Sequence, residues 1–370
     1  MKQPHNKMNN DSYKFPTLQH YIDLATENIY HGDLLTRLLL DITNCTKAIA
    51  ALVAKGALAQ ATDKLNTINV QGETQMQLDV LSNDLFIASL EKSGVVAGAV
   101  SEELEQPYLF AGKDNAPFLV AFDPLDGSSN IAVNGVVGSI FSVLPSSALT
   151  KNVEDSLNAS DAEYLKVGTT QLAAGYALYG PATMLVLTIG KGTQGFTLDA
   201  ESQEFVLTHP DIQIPEITSE FAINTSNKRF WEPPIQRYIV ACDAGATGIR
   251  GRDFNMRWIA SMAADVHRIL MRGGVYLYPK DNKLPLKAGR LRLLYEANPM
   301  SFIVEQAGGK SSTGRESILA LQPSHIHQRV PVVLGSRLEV DLIDSYHTEF
   351  DATLSDKSAL SNCNPIKKGN

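Results

Sequence analysis

Hydrophobic and polar positions follow two different periods along the chain. After a polar N-terminal arm, apolar residues recur at helical spacing over Leu18–Ile29 and Leu34–Val53, and again over Leu78–Leu90. The polar stretch Gln60–Gln77 shows no clear period, so we predict a mobile loop there. The chain therefore begins with a helical region that a loop interrupts.

A series of short strands is predicted next. Runs rich in β-branched and aromatic residues indicate one large sheet built from Val95–Val100, Phe118–Phe122, Ser139–Leu144, Leu172–Tyr179, Met184–Ile189, Gly195–Leu198 and Glu204–Leu207. The segment Pro145–Thr170 is rich in Ser, Asp and Asn, which is typical of a surface connection.

Beyond a boundary near His209–Ser219, helical and strand patterns mix again. Predicted helices are Asn255–Arg272 and Pro299–Gln306, and predicted strands are Gly274–Tyr278 and Pro331–Gly335. The polar C-terminal end is typical of disorder. We expect an α/β protein of two apposed lobes with mixed sheets, over residues 1–212 and 213–347, followed by a disordered tail over 348–370.

The charge balance excludes some classes of partner. Of 370 residues, 32 are Lys or Arg and 40 are Asp or Glu, without a basic run, so neither DNA nor RNA is an expected partner. The three cysteines form no CxxC pair, which suits a reducing compartment and argues against zinc. No apolar run approaches the ~18 residues of a bilayer span. We expect a cytoplasmic protein with no membrane partner.

Acidic residues stand where predicted elements end or begin. Ser101-Glu102-Glu103 follows one strand, Asp123-Pro124-Leu125-Asp126 ends the next, and Glu296 precedes a later helix. Because ligands collect at the carboxyl ends of strands in open α/β sheets, these carboxylates can surround one point. Such oxygen ligands suit Mg²⁺ or Mn²⁺. The following Gly127-Ser128-Ser129 turn can offer backbone N–H groups to a phosphate, so the pattern predicts metal-assisted phosphate-ester hydrolysis.

Each acidic pair alone also has an ordinary structural interpretation. Glu102-Glu103 is typical of a solvated strand end, and Asp123 with Asp126 is typical of a turn with Asx capping. The run Asp123–Asn130 after an apolar strand is more specific, because it joins ligands, a Pro-containing turn and a phosphate cradle in one order.

The segments VSEE, FDPLDGSSN and GRLRLLYEANPMSFIVEQAGG resemble the class I fructose-1,6-bisphosphatases. The similarity extends over LDVLSNDL, AAGYALYGPATMLV, MAADVHR, GGVYLYP and HQRVPVVLGS, and leaves out only the termini and the 145–170 connection. The resemblance implies a layered α/β/α/β/α sugar-phosphatase fold. It also implies a homotetramer that hydrolyses the 1-phosphate of fructose 1,6-bisphosphate in gluconeogenesis or Calvin-type sugar metabolism.

The resemblance further implies roles for individual residues. Two or three Mg²⁺ per subunit, for which Mn²⁺ is expected to substitute, would be held by Glu102, Glu103, Asp123, the Leu125 carbonyl, Asp126 and Glu296. Asp79 and Glu103 would help to deprotonate the attacking water, and Glu73 would lie with Asn69 in the active-site loop. Substrate would contact Asp126, Gly127, Ser128 and Ser129 at the cleaved phosphate, and Asn224, Asn227, Tyr278, Arg290 and a neighbouring subunit's Arg257 elsewhere.

The chain departs from the family's pattern at several positions. Glu73 stands where Asp is usual, Arg290 where Lys is usual, and Asn227 and Trp258 where many members have Tyr. The nucleotide site of AMP-inhibited relatives is replaced more thoroughly, by His31, Asp33, Pro117, Phe118 and Pro145. Proline supplies neither charge nor an N–H group, so we predict weak or no inhibition by AMP.

Other functions stay open at this stage. Inositol and nucleotide monophosphatases share the D-P-x-D-G run, although their later ligand usually lies in a Trp-Asp pair and the chain has Tyr295-Glu296 there. Activity on sedoheptulose 1,7-bisphosphate, absent or additional, is not decided by the sequence. A catalytically dead regulatory scaffold is disfavoured, because all six expected metal positions hold competent ligands.

Overall fold

The structure is a computed structural model that describes residues 16–29, 31–59, 64–68, 74–113, 115–147, 161–283, 285 and 287–362. Its helices are α1 (Leu18–Thr26), α2 (Gly32–Lys55), α3 (Gln77–Ser93), α4 (Pro233–Asp243), α5 (Met262–Arg272), α6 (Asn298–Gln306) and α7 (Arg337–Asn362). Although α2 and α7 are long, no helix in these ranges is apolar enough over its length to span a bilayer.

Most of the strands in these ranges lie between α3 and α4. They are β1 (Lys64–Ile68), β2 (Thr74–Met76), β3 (Val96–Ser101), β4 (Tyr108–Leu109), β5 (Phe118–Asp126), β6 (Val137–Pro145), β7 (Ala173–Tyr179), β8 (Thr183–Thr188), β9 (Thr193–Leu198), β10 (Phe205–His209), β11 (Glu220–Ala222), β12 (Asn255–Met256), β13 (Val275–Tyr278), β14 (Leu291–Arg292), β15 (Lys310–Ser312), β16 (Arg329–Val330) and β17 (Val332–Gly335).

Two mixed sheets dominate the fold. The larger has eight strands in the order β10-β9-β8-β7-β6-β5-β3-β4, in which β3 and β5 run parallel and the other neighbours run antiparallel. The smaller has the order β12-β11-β13-β17-β15, with β11 parallel to both β12 and β13. The predicted large sheet and the mixed α/β class are confirmed.

Hydrophobic clusters define the layers. Apolar residues of α1, α2 and α3 pack on one face of the large sheet, where Phe86 stacks on Phe122 at 4.6 Å between ring centroids. The other face packs against α5 and α6, which also contact β13 and β17 of the small sheet. The far face of the small sheet packs against α4 and α7. This order of layers is α/β/α/β/α.

Three sequence predictions differ from the structure. The helix predicted over Asn255–Arg272 begins only at Met262, because Asn255–Met256 forms a strand and Ser261 caps the helix. Residues 348–362, predicted to be disordered, continue α7, which buries Val340 and Tyr346 against the small sheet and α4. Within the Gln60–Gln77 stretch, predicted as a loop, β1 pairs antiparallel with β2.

Candidate active site

The parallel pair of β3 and β5 brings two acidic segments to one edge of the large sheet. Ser101 lies opposite Phe122 in the ladder, and the Glu102 N–H donates to the Phe122 carbonyl over 3.2 Å. Both strands are buried along their length, as expected for apolar strands covered on both faces. The predicted convergence of the two acidic strand ends is therefore present.

Three carboxylates form a compact buried cluster at this edge. One oxygen each of Asp123, Asp126 and Glu296 lies within 4.8 Å of the other two. Glu296 belongs to a single π-helical turn, Leu293–Ala297, that precedes α6, and its Oε2 accepts a hydrogen bond from the Arg292 N–H at 2.6 Å. Rare π-turns of this kind frequently occur at functional sites.

Burial and mutual repulsion make these acids difficult to ionise. Burial first, and then repulsion from Glu102, Asp126 and Glu296, raises the pKa of Asp123 well above its usual value. Burial, followed by repulsion from Glu102, raises the pKa of Glu296 to about 8, although Arg292 opposes this shift. For Asp126, burial outweighs the hydrogen bonds that it accepts, and its pKa rises to about 6.

Arg292 lies among these acids, with its Nη1 2.8 Å from Glu102 Oε1 and 3.8 Å from Glu296 Oε2. A single guanidinium cannot balance Glu102, Asp123, Asp126 and Glu296 together. Buried, closely spaced carboxylate oxygens with a remaining negative charge are the donor set that hard divalent cations prefer. The residues present therefore fit a divalent metal ion, and Asp123, Asp126 and Glu296 are three of the six ligands expected from the sequence.

The turn after β5 requires a glycine at its first position. Gly127 has φ of 77°, and a Cβ at this position would lie 2.6 Å from the Cβ of Ser261, so only glycine fits. Ser128–Val133 then forms a 3₁₀ helix with half-buried or exposed side chains. Ser128 and Ser129 thus follow the acidic cluster directly.

Asp126 also connects the cluster to α5. Its Oδ2 accepts hydrogen bonds from Ser261 Oγ at 2.6 Å and from the Ala263 N–H at 2.8 Å, and its Oδ1 accepts from the Met262 N–H at 3.1 Å. Free N–H groups at a helix N-terminus favour a nearby negative charge. Asp126 is therefore held rigidly as well as buried.

A small pocket lies where residues from several parts of the C-terminal half of the chain meet, and the apolar part of its lining includes Ile223, Trp231, Leu277 and Pro279. Asn224, Asn227, Trp258 and Tyr278, which were singled out from the sequence, all line it together with Asp281. Arg290 reaches this pocket through Asp281, since its Nη2 lies 3.1 Å from Asp281 Oδ2.

The other residues that the sequence singled out do not line this pocket. Asp79 is buried in the first turn of α3, which packs on β3 and β5. Glu103 is half-buried beside Glu102, and Leu125 is buried with its N–H donating to Asp123 Oδ1 at 2.9 Å. Arg257 is exposed. Glu73 and Asn69 lie outside the described residues.

Sequence reasoning missed Arg292, Asp281 and Ser261 as parts of the site. Arg292 stands four residues before Glu296, a spacing that could have indicated an ion pair. Asp281 and Ser261 carry no comparable signal, because their partners Arg290 and Asp126 are brought near them by the fold.

A separate groove of about 500 Å³ lies between α1 and α2. Its polar lining includes Asp23, Glu27, His31 and Asp33, and neither Lys nor Arg occurs among its lining residues. Phe118 and Pro145 lie opposite each other in β5 and β6. Both are among the residues that stand where AMP-inhibited relatives have their nucleotide site.

Comparisons with known proteins agree over nearly the whole chain. Models of the N-terminal and C-terminal domains of fructose-1-6-bisphosphatase match residues 17–210 and 214–348. A class 1 fructose-1,6-bisphosphatase of Hydrogenophilus thermoluteolus is 56% identical over 85% of this chain and 87% of its own length. One of Methylibium petroleiphilum is 55% identical over the same shares.

Solved structures give the same result. Fructose-1,6-bisphosphatase of Leishmania major in holo form has 38% sequence identity and a TM-score of 0.83, covering 91% of this chain and all of that chain. Two family models, two relatives above half identity and a solved structure with the same layers thus agree, and the chain belongs to the class 1 fructose-1,6-bisphosphatase family.

Proposed function

We propose that the protein hydrolyses the 1-phosphate of fructose 1,6-bisphosphate to fructose 6-phosphate and inorganic phosphate, with Mg²⁺ as the resident metal. The observation that carries this proposal is the buried cluster of Asp123, Asp126 and Glu296 directly before a glycine-containing phosphate turn. The names of the relatives support the choice of substrate.

The protein residues divide the work by location. Asp123, Asp126, Glu296, Glu102, Glu103 and the Leu125 carbonyl would hold two or three Mg²⁺ per subunit. When bound, such ions lower the pKa of water and neutralise phosphoryl oxygens. Gly127, Ser128 and Ser129 would bind the cleaved phosphate, because their N–H groups follow the acidic cluster directly. Asp79 and Glu103 would accept the proton of the attacking water.

The pocket lined by Asn224, Asn227 and Tyr278 would bind the remainder of the substrate. Asn224, Asn227 and Tyr278 offer neutral hydrogen bonds, and Arg290 supplies positive charge. The Arg290 guanidinium pairs with Asp281, which orients it and partly offsets its charge. Arg257 is exposed, with its Nη1 donating to the Met256 carbonyl at 2.9 Å, and in the homotetramer that we propose it would contact the substrate of a neighbouring subunit. We further propose a cytoplasmic location.

The decisive experiment measures phosphate release from fructose 1,6-bisphosphate, sedoheptulose 1,7-bisphosphate and an inositol monophosphate, each with and without Mg²⁺. The proposal expects Mg²⁺-dependent release that is fastest with fructose 1,6-bisphosphate. Preference for the inositol phosphate would refute the substrate assignment, and the absence of release from all three would indicate a non-catalytic protein. Equal rates with both bisphosphates would establish a dual enzyme.

A further inference from the structure

The turn Arg257–Ser261, between β12 and α5, has an unusual backbone. The Arg257 N–H donates to the Phe221 carbonyl at 2.8 Å, and the chain then leaves the sheet. Ala260 has φ of 66°, in the left-handed region that residues other than glycine rarely adopt. Because this conformation is strained, interactions from outside the turn must hold it.

Asp265, in the first turn of α5, supplies one such interaction. Its Oδ1 accepts from the Ile259 N–H at 2.9 Å and its Oδ2 from the Ala260 N–H at 3.2 Å. The residue is 1% exposed, and burial raises its pKa to about 7. A buried carboxylate is costly unless it is hydrogen-bonded, so its value here lies in the two backbone groups that it binds.

Asn130, at the end of the Asp123–Asn130 run, supplies a second interaction. Its Nδ2 donates to the Ile259 carbonyl at 3.0 Å and to the Val136 carbonyl at 3.0 Å. Its own N–H donates to the Gly127 carbonyl at 2.8 Å. Both backbone polar groups of Ile259 are thus bound by side chains from elsewhere in the chain, one of them in the phosphate turn.

The same turn carries Trp258, which lines the pocket together with Asn224, Asn227 and Tyr278. The Trp258 ring stacks on Tyr276 with 5.9 Å between centroids and 9° between planes, and it meets Tyr278 at 5.9 Å. The position of this indole follows from the turn that precedes α5. Interactions that hold the turn therefore also locate one wall of the pocket.

We propose that Asp265 and Asn130 are positioning residues that hold the Arg257–Ser261 turn, and thereby set the distance between the phosphate turn and the Trp258 wall of the pocket. A substrate with phosphates at both ends is bound at two points, so this distance selects its length. The inference rests on the proposed function, since it takes the pocket to hold the second phosphate end. Neither side chain touches the reacting atoms.

The test uses full-length protein with Trp231→Phe, which leaves Trp258 as the only tryptophan of the chain. Because Trp231 also lines the pocket, this single variant is the parent protein, and every other variant is made and compared in its background. Asp265→Asn and Asn130→Ala are compared with a control variant, Glu305→Gln. Glu305 lies on α6, and its carboxylate accepts a hydrogen bond from Ser311 Oγ. Acrylamide quenching of Trp258 emission is measured without substrate. KM and kcat are measured for fructose 1,6-bisphosphate and sedoheptulose 1,7-bisphosphate.

We expect both positioning variants to raise the quenching constant about twofold and the KM for fructose 1,6-bisphosphate about tenfold, the size of one lost hydrogen bond of 1.4 kcal/mol. The kcat should change less than threefold, and the preference for the shorter bisphosphate should narrow. Glu305→Gln should match the parent protein. Asp265→Glu, which keeps the acceptor, should recover part of the loss in KM.

Unchanged quenching and KM in both variants would overturn the proposal, as would a fall in kcat at constant KM, because that result would indicate damage to the metal site instead. If Asp265→Asn does not fold, Asn130→Ala alone tests the proposal. The amide of Asn130 is half-buried, and removing it leaves no buried charge. If the parent protein releases no phosphate from either bisphosphate, the proposed function fails, and the quenching experiment still tests the positioning role.

Discussion

Two substitutions that remove the same charge from the acidic cluster should have different effects on stability. Asp123 and Asp126 are both buried, and Glu102 repels each carboxylate. The Leu125 N–H donates a hydrogen bond to Asp123 Oδ1, and the side-chain oxygen of an Asn can still accept it. Asp126 accepts from Ser261 Oγ and the Ala263 N–H on Oδ2 and from the Met262 N–H on Oδ1, so an Asn side chain in either orientation places its amide donor against at least one N–H.

The magnitude follows from these contacts. Removing either charge relieves desolvation and repulsion, and the relief is larger at Asp123, because Asp126 and Glu296 also repel it. At least one hydrogen bond to a charged acceptor, at about 1.5–3 kcal/mol, is lost only at Asp126, so metal-free Asp126→Asn should be less stable than Asp123→Asn by at least about 1.5–3 kcal/mol. Asp123→Asn itself should be as stable as the parent or more stable, because it relieves repulsion.

The assay is urea unfolding in EDTA at pH 7.5, at one protomer concentration, because subunit association also contributes to apparent stability. Phosphate release at limiting Mg²⁺ accompanies it, and both variants should lose turnover by orders of magnitude. Equal stabilities of the two variants within about 1 kcal/mol would refute the capping role of Asp126. Wild-type turnover in either variant would refute its role as a metal ligand.

Four further outcomes are expected. Glu102→Gln should lower turnover by orders of magnitude and leave the fold intact, as circular dichroism would verify. Because the folded-state pKa of Glu296 is raised from 4.5 to about 8, metal-free protein should lose stability as pH rises between these values, by at most about 1.4 kcal/mol per pH unit and proton. Mg²⁺ should therefore raise the melting temperature more at pH 8 than at pH 6. Equal shifts of the melting temperature in scanning fluorimetry would contradict this prediction. AMP should inhibit weakly or not at all in a dose–response at fixed substrate and Mg²⁺, since the groove between α1 and α2 is lined by acids, and micromolar inhibition would show that prediction wrong. Arg257→Ala should raise KM, whereas Arg272→Ala should not, because Arg272 is an exposed arginine that pairs with Glu220. Light scattering should find a tetramer, and a fully active monomer would exclude a site shared between subunits.

Sequence patterns predicted the parts of the fold in which local periodicity and burial agree. The strands of the large sheet and the convergence of Glu102 with Asp123 follow from apolar runs that end in acids. The helix predicted from Asn255 was wrong because apolar spacing continued through Trp258 and Ile259, whereas long-range partners control the backbone there. No local pattern reveals that the Ile259 carbonyl binds Asn130.

The C-terminal lobe shows the same limit. The polar composition after residue 347 suggested disorder, yet α7 continues to Asn362 because its earlier turns bury Val340, Ile343 and Tyr346. A helix that is anchored in this way extends beyond its apolar part, since each added residue costs less than a new nucleus. Arg292 and Asp281 were overlooked for a related reason, because the importance of a charged residue depends on partners that only the fold identifies.

The single parallel pair in the large sheet has a consequence for the order of folding. Strands β5 to β10 form a meander of neighbours along the chain, whose antiparallel contacts are local and close quickly. The pairing of β3 with β5 requires a crossover, and Glu296 joins the cluster from a much later part of the chain. The acidic cluster is therefore completed only after these long-range contacts form, so a growing chain carries dispersed acids and the finished protein alone concentrates them.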